Sequence, residues 1–231
     1  MDRAGSLFED KNGESYELRD AFAAYMRFGG MPGIADTGLD QEKALLLLDG
    51  IYSTVVVRDI LEREKRRGQR QIADSALLRK IVLSLADNIG NMVSSSSIGN
   101  TLANEGLLRD GRCKGKPSAH TVQAYIQALL ESYFFYEIKR FDIKGKEYLR
   151  TLGKYYIVDI GLRNYLLGFR ERDSGHAIEN VVYLELLRRE LAPLQQIRDN
   201  YEKTILSLDP GLVSSYDGIL SVSLIDWLLE K

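Results

Sequence analysis

The stretch Gly111–Ser118, GRCKGKPS, sets two glycines and two lysines just ahead of a hydroxyl. Those are the residue types of a loop that wraps phosphate oxygens in backbone N–H groups. The spacing, however, is one residue short of the phosphate-loop pattern G-x-x-x-x-G-K-[ST]. Pro117 stands where the magnesium-binding hydroxyl belongs, and it removes a backbone N–H from the same loop. A nucleotide site is therefore rejected. What is left is a basic turn, either merely solvated or able to touch a nucleic-acid backbone through Arg112, Lys114 and Lys116.

Ser118 follows at once, as a cap for the apolar-periodic run AHTVQAYIQALLESYFFYEI. If that run is a recognition helix, Ser118, His120, Thr121 and Gln123 lie at the end that enters a DNA groove. Lys139, Lys144 and Lys146, in the β-rich segment behind it, would add backbone contacts. From Arg109 to Lys154 there are ten Lys/Arg against five Asp/Glu, so this stretch is locally basic within a chain of net charge −2. The plain alternative is a helix that only packs or meets protein.

Other candidates for chemistry are sparse. Asp159 and Glu179 are carboxylates near helix starts, the first most simply a cap, the second a surface or half-buried residue. His120 and His176 have no Ser, Asp or Cys nearby in a nucleophilic arrangement, and Cys113 is the only cysteine. No catalytic residue, metal site or cofactor is expected. The charge run EREKRRGQR (62–70) reads as a solvated helix face.

The elements that must hold these residues are mostly helical. Residues 1–15 read as a flexible lead, followed by a helix from about Tyr16 with Leu18, Ala21, Phe22 and Tyr25 at helical spacing. RFGGMPGI breaks it, because adjacent glycines and a proline cannot continue a helix. Leu39–Arg66 is read as helix despite the β-branched trio Val55–Val57. In 74–89, Leu77, Leu78, Ile81, Val82, Leu85 and Ile89 form one stripe. Ser97 is the expected cap of the short helix after the four serines. FFYEIKRFD and KEYLRTLGKYYIVD flank IKG as a hairpin, and DIGLRNYLLG reads as a helix capped by Asp159 and ended by Gly168. A further helix, AIENVVYLELLRRE, precedes a strand, a turn, a short strand and a terminal helix. The fold class is thus mainly α (α+β): an N-terminal helical region (1–73), a winged-helix module with a hairpin wing (74–159) and a small α/β remainder (160–231).

With 231 residues, 45% hydrophobic and 28% charged, the chain has the composition of an ordinary globular protein. No apolar run approaches the roughly eighteen residues of a membrane span. The polar N-terminus does not read as a signal peptide, so a cytoplasmic protein with no membrane partner is expected.

Six stretches in order, AFAAYMRFGGMPGI, IYSTVVVRDI, SSSSIGNTLANEG, TVQAYIQALLESYFFYEIKRFD, GKYYIVDIGLRN and GHAIENVVYLELLRR, resemble the C-terminal half of a prokaryotic family of AAA-type ATPases. The resemblance covers about residues 16–189 and extends to the chain's ending. It implies a winged-helix-like part and a fold related to PD-(D/E)xK nucleases, with Glu179 matching the glutamate of the first nuclease helix. It also implies two departures. The phosphate-loop ATPase domain has no counterpart, and Arg189 runs straight into ELAPL where the family carries the acidic strands of its nuclease-like sheet. Without those carboxylates and a lysine, metal-assisted phosphodiester chemistry has no machinery. The expectation is a non-catalytic accessory region that binds duplex DNA, with docking to an ATPase domain or to a second copy as the alternative. A degenerate nuclease would require the missing strands to come from elsewhere.

Overall fold

The computed structural model describes residues 7–9, 15–68, 72–104, 117–142, 147–170, 173–195, 203–207, 215–216 and 219–223. In place of a flexible lead, β1 (Leu7–Glu9) pairs antiparallel with β2 (Ser15–Glu17), which runs directly into helix α1 (Leu18–Phe28). Helix α1 stops at Gly29, whose φ of +78° only glycine adopts freely. Phe22, expected on the core face of α1, is instead exposed.

Asp40 caps helix α2 (Gln41–Ile51) by accepting the Lys43 N–H. The chain then passes through a π-helical stretch, Tyr52–Asp59, into α3 (Ile60–Arg66). The run read as one helix is therefore helical throughout, with a wider turn where the β-branched trio falls. The charge run at its end is only partly solvated. Glu64 is buried against Arg63 at 3.0 Å, and Arg63 donates to the Ala128 carbonyl at 2.9 Å. Arg67 pairs with Glu131, so these arginines fasten α3 to the helix containing residue 128.

Asp74 caps α4 (Ser75–Asp87), and all six residues of the predicted stripe are buried, Ile89 included. A short strand β3 (Met92–Val93) leads to α5 (Ser95–Asn104). The cap of α5 is Ser94 rather than Ser97: the Ser97 N–H donates to Ser94 Oγ at 3.0 Å, and the Ser94 N–H donates to Ser97 Oγ at 3.1 Å. This reciprocal pair satisfies two otherwise orphaned donors, as in a capping box. Helix α6 (Ala119–Glu131) ends before the expected Tyr136, because Phe135 already begins strand β4 (Phe135–Asp142). β4 pairs antiparallel with β5 (Glu147–Ile157), with a register shift between Lys139 and Phe141, and β3 pairs with the far side of β5. The sheet order is β3-β5-β4.

Asp159 caps α7 (Ile160–Leu167), which ends at Gly168. Helix α8 (Ser174–Gln195) runs unbroken across Arg189–Glu190. Behind it β6 (Lys203–Ser207) pairs parallel with β8 (Ile219–Ser223), and β7 (Ser215–Tyr216) pairs antiparallel on the other edge of β8. The expected terminal helix lies outside the described residues. The molecule is mainly α with small sheets, an α+β architecture.

The core centres on α4, α6 and α7, closed by Tyr52 and by Phe134, Phe135 and Ile157 of the wing sheet. Asp159 joins the N-terminal region to this core. Its Oδ1 accepts from the Gly161 and Leu162 N–H groups at 2.8 and 3.2 Å, and its Oδ2 from the Gly30 N–H at 2.7 Å. Asn164 donates to the Met26 and Arg27 carbonyls, satisfying the C-terminal end of α1. A Cβ at Gly29 would lie 2.1 Å from Asp159 Oδ1, and one at Gly161 would lie 2.0 Å from the Phe28 carbonyl oxygen. The first glycine of FGGMPG, Gly29, is therefore dictated by this close approach. Gly29→Ala should lower stability by about 3 kcal/mol or more, since the clash comes on top of the left-handed φ. Gly38→Ala, also at positive φ but with open space around its Cβ, should cost about 1 kcal/mol. Urea unfolding midpoints of the two variants check the contrast.

Candidate nucleic-acid interface

Helices α5 and α6 pack against each other in the place of the two helices of a helix-turn-helix. Their relative angle is held at the open end by Ser95 Oγ, which donates to Gln123 Oε1 at 2.7 Å. At the opposite side Tyr125, fully buried, accepts from the Asp74 N–H at 3.0 Å and so anchors α6 to the start of α4. Val122, Tyr125, Ile126, Ala128 and Leu129 face the core. The outward stripe of α6 is Ala119, His120, Gln123, Gln127 and Glu131.

Ser118 caps α6, accepting the Thr121 N–H at 3.0 Å and exchanging a hydroxyl bond with Thr121 at 2.9 Å. Ser118 and His120 are exposed at the N-terminal end of the helix, and Thr121 is half-buried. Gln123 is exposed but committed to Ser95. Arg112, Lys114 and Lys116, together with Lys144 and Lys146, lie outside the described residues. Lys139 belongs to β4. Of the predicted contact set, then, the structure brings Ser118, His120, Thr121 and Gln123 together on one helix end.

Glu179 sits elsewhere and is engaged through one carboxylate oxygen. Its Oε1 accepts from Tyr156 Oη at 2.7 Å and from Lys154 Nζ at 3.0 Å, while Gly90 leaves room for it. The Tyr156 bond, followed by the Lys154 bond, holds its carboxyl below the usual glutamate range. Next to it the buried Asn180 exchanges two bonds with the backbone of Ile157, accepting its N–H at 2.8 Å and donating to its carbonyl at 2.9 Å. Tyr183 stacks on Tyr156 with ring centroids 4.3 Å apart. Lys154, Tyr156 and Asn180 escaped the sequence reading, because nothing local in the chain shows that β5 and α8 meet. Glu179 is thus a strut between the wing and α8. Asp159 is saturated by three backbone N–H groups; burial raises its carboxyl above the usual range and those bonds oppose the rise.

A cavity of about 690 Å³ opens between α1 and α8, walled by Phe22, Tyr25, Met31, Tyr136, Leu184 and Leu187 among others. Among the described residues no group of His, Cys, Asp and Glu is disposed to hold a metal ion, and no helix is long and apolar enough to cross a membrane.

Helices α4, α5 and α6 followed by a hairpin, with sheet order β3-β5-β4, have the element order of a winged helix. The chain belongs to the family described as "Domain of unknown function (DUF8612)", whose model matches residues 19–173. That match ends one residue before α8 begins. An uncharacterized protein of Haemophilus influenzae is 30% identical over 247 residues, covering 90% of this chain and 58% of that protein. An uncharacterized protein of Methanocaldococcus jannaschii is 29% identical, covering 84% of this chain and 40% of its own length. The chain thus spans between two fifths and three fifths of these relatives. The first aligned length exceeds the 231 residues of the chain, so the Haemophilus protein carries residues with no counterpart here. No solved structure matches.

The strut has a pH signature. A carboxylate whose folded-state pKa is depressed stabilises the fold above its unfolded value, 4.5, and loses that contribution as pH falls through the folded value. Glu179→Gln should therefore cost about 1 kcal/mol at pH 7, a charge-assisted bond partly open to water. The difference from the parent should fade below pH 4.5 and vanish once Glu179 is protonated, as read by thermal melts across that range.

Proposed function

We propose that the chain is a non-catalytic accessory region of longer AAA-type ATPase-like proteins, and that its winged helix binds duplex DNA. The observation that carries the DNA reading is the exposed N-terminal end of α6, with Ser118, His120 and Thr121, framed in sequence by the basic run from Arg109 to Lys154. Hydroxyls and an imidazole at a helix start suit phosphate and base-edge contacts, and flanking cations suit phosphates. The accessory role is supported by the relatives, which extend well beyond the matched region. A nuclease role finds no support in Glu179, which bonds Lys154 and Tyr156 through Oε1 and has no second His, Cys, Asp or Glu grouped with it to hold a metal ion among the described residues.

One observation favours a second reading, protein docking. The outward stripe of α6 carries no Lys or Arg, and Glu131 at its end already holds Arg67. A near-neutral helix face suits a protein surface better than a polyanion.

Salt separates the two. Fluorescence anisotropy with a labelled random duplex should show affinity falling steeply with salt, with a log–log slope near 0.9 per phosphate contact. The triple variant R112A/K114A/K116A should reduce that slope by roughly one unit for each contact removed. Binding that ignores salt, or no binding at low salt, overturns the DNA reading.

A further inference from the structure

The bond between Ser95 and Gln123 does more than set the angle between α5 and α6. At 2.7 Å from Oγ to Oε1 it has the length of an O–H···O bond, so the serine hydroxyl donates and the amide oxygen accepts. That fixes which way round the amide lies. A glutamine amide carries two lone pairs on its oxygen and two hydrogens on its nitrogen. Ser95 uses one lone pair. The other lone pair and both hydrogens remain for a partner.

The pair is held from both helices. Ser95 lies in the first turn of α5, whose start is fixed by the reciprocal Ser94–Ser97 bonds and whose Ile98 and Leu102 are buried. On α6 the buried Val122 and Ile126 anchor the turn that carries Gln123, which is itself exposed on the outward stripe. Gln127, one turn further on, bonds within its own helix, to Glu131 at 3.4 Å. Gln123 is instead tied by a neighbouring helix, and a side chain already held loses less freedom when it binds.

An amide held in this way offers a donor and an acceptor side by side. Adenine presents the matching pair in the major groove, the N6 donor and the N7 acceptor. Guanine presents two acceptors there, and its O6 would face the remaining lone pair of Oε1. We propose that Gln123 reads an adenine edge in duplex DNA, and that Ser95 is the positioning residue that orients its amide to do so. This rests on the DNA reading of α6 and adds base specificity to it.

Duplexes retained by the chain from a randomised library at low salt should show, on sequencing, one position where adenine is favoured over guanine about tenfold or more. Q123A should lose that preference. Ser95→Ala should cut it by about fivefold, with the salt slope and melting temperature of the parent, and Ser95→Thr, which keeps the hydroxyl, should retain it. Replacing that adenine with 7-deazaadenine, which lacks the N7 acceptor, should weaken the parent by about fivefold and leave Q123A unaffected. Retention of no duplex at all overturns the DNA reading and this inference with it. Retention without an adenine preference overturns the inference alone. So does a preference that Ser95→Ala leaves intact, or an equal loss with 7-deazaadenine in the parent and in Q123A.

Discussion

The carboxylate of Asp159 binds two parts of the chain 129 residues apart, and the architecture is arranged around that contact. It closes the first turn of α7 and at the same time receives the backbone of the glycine loop that ends α1. A buried carboxylate is costly unless its oxygens are satisfied, and here three N–H groups do so. The contact works only if nothing projects from Gly29 or Gly161, where any Cβ would collide with Asp159 or with the end of α1. Asn164 and Arg163 extend the same junction. Asn164 caps the exit of α1, and Arg163 donates to the Ala86 carbonyl at the end of α4 while pairing with Asp173. The winged helix is thereby welded to the region before it, within the segment that the family model covers.

The local physics of this fold was readable from residue order. The α4 stripe, the caps at Ser118 and Asp159, the hairpin and the stop at Gly168 all follow from periodicity, capping and turn chemistry. What escaped depended on partners distant in sequence. Phe22 fits the helical period of α1, yet it is half-exposed, at the rim of the cavity between α1 and α8. Glu64 and Arg63 look like ordinary members of a charge run, yet α6 arrives above them and buries the acid. The four serines offer several plausible caps, and only the reciprocal Ser94–Ser97 bonds decide among them. The candidate site was legible in part. Ser118 marks the start of α6, but Gln123 could not be known to be bonded to Ser95.

Helix α8 shows how one element can serve two ends. Its first half is fixed to β5 by Asn180, Glu179 and the Tyr183 stack, all on one side. Its opposite side offers apolar residues to solvent. The junction at Arg189–Glu190, where the resemblance to AAA-type ATPases leads one to expect intervening strands, lies within this helix and does not interrupt it. The alignment with the Haemophilus protein is longer than this chain, so that relative carries residues without a counterpart here.

The most direct test of the DNA reading is residue-resolved. Backbone amide shifts of the labelled chain, followed while a short duplex is added at low salt, should move between residues 109 and 123 and between 139 and 146. Shifts confined to α8 and its neighbours, or no shifts at all, would contradict it.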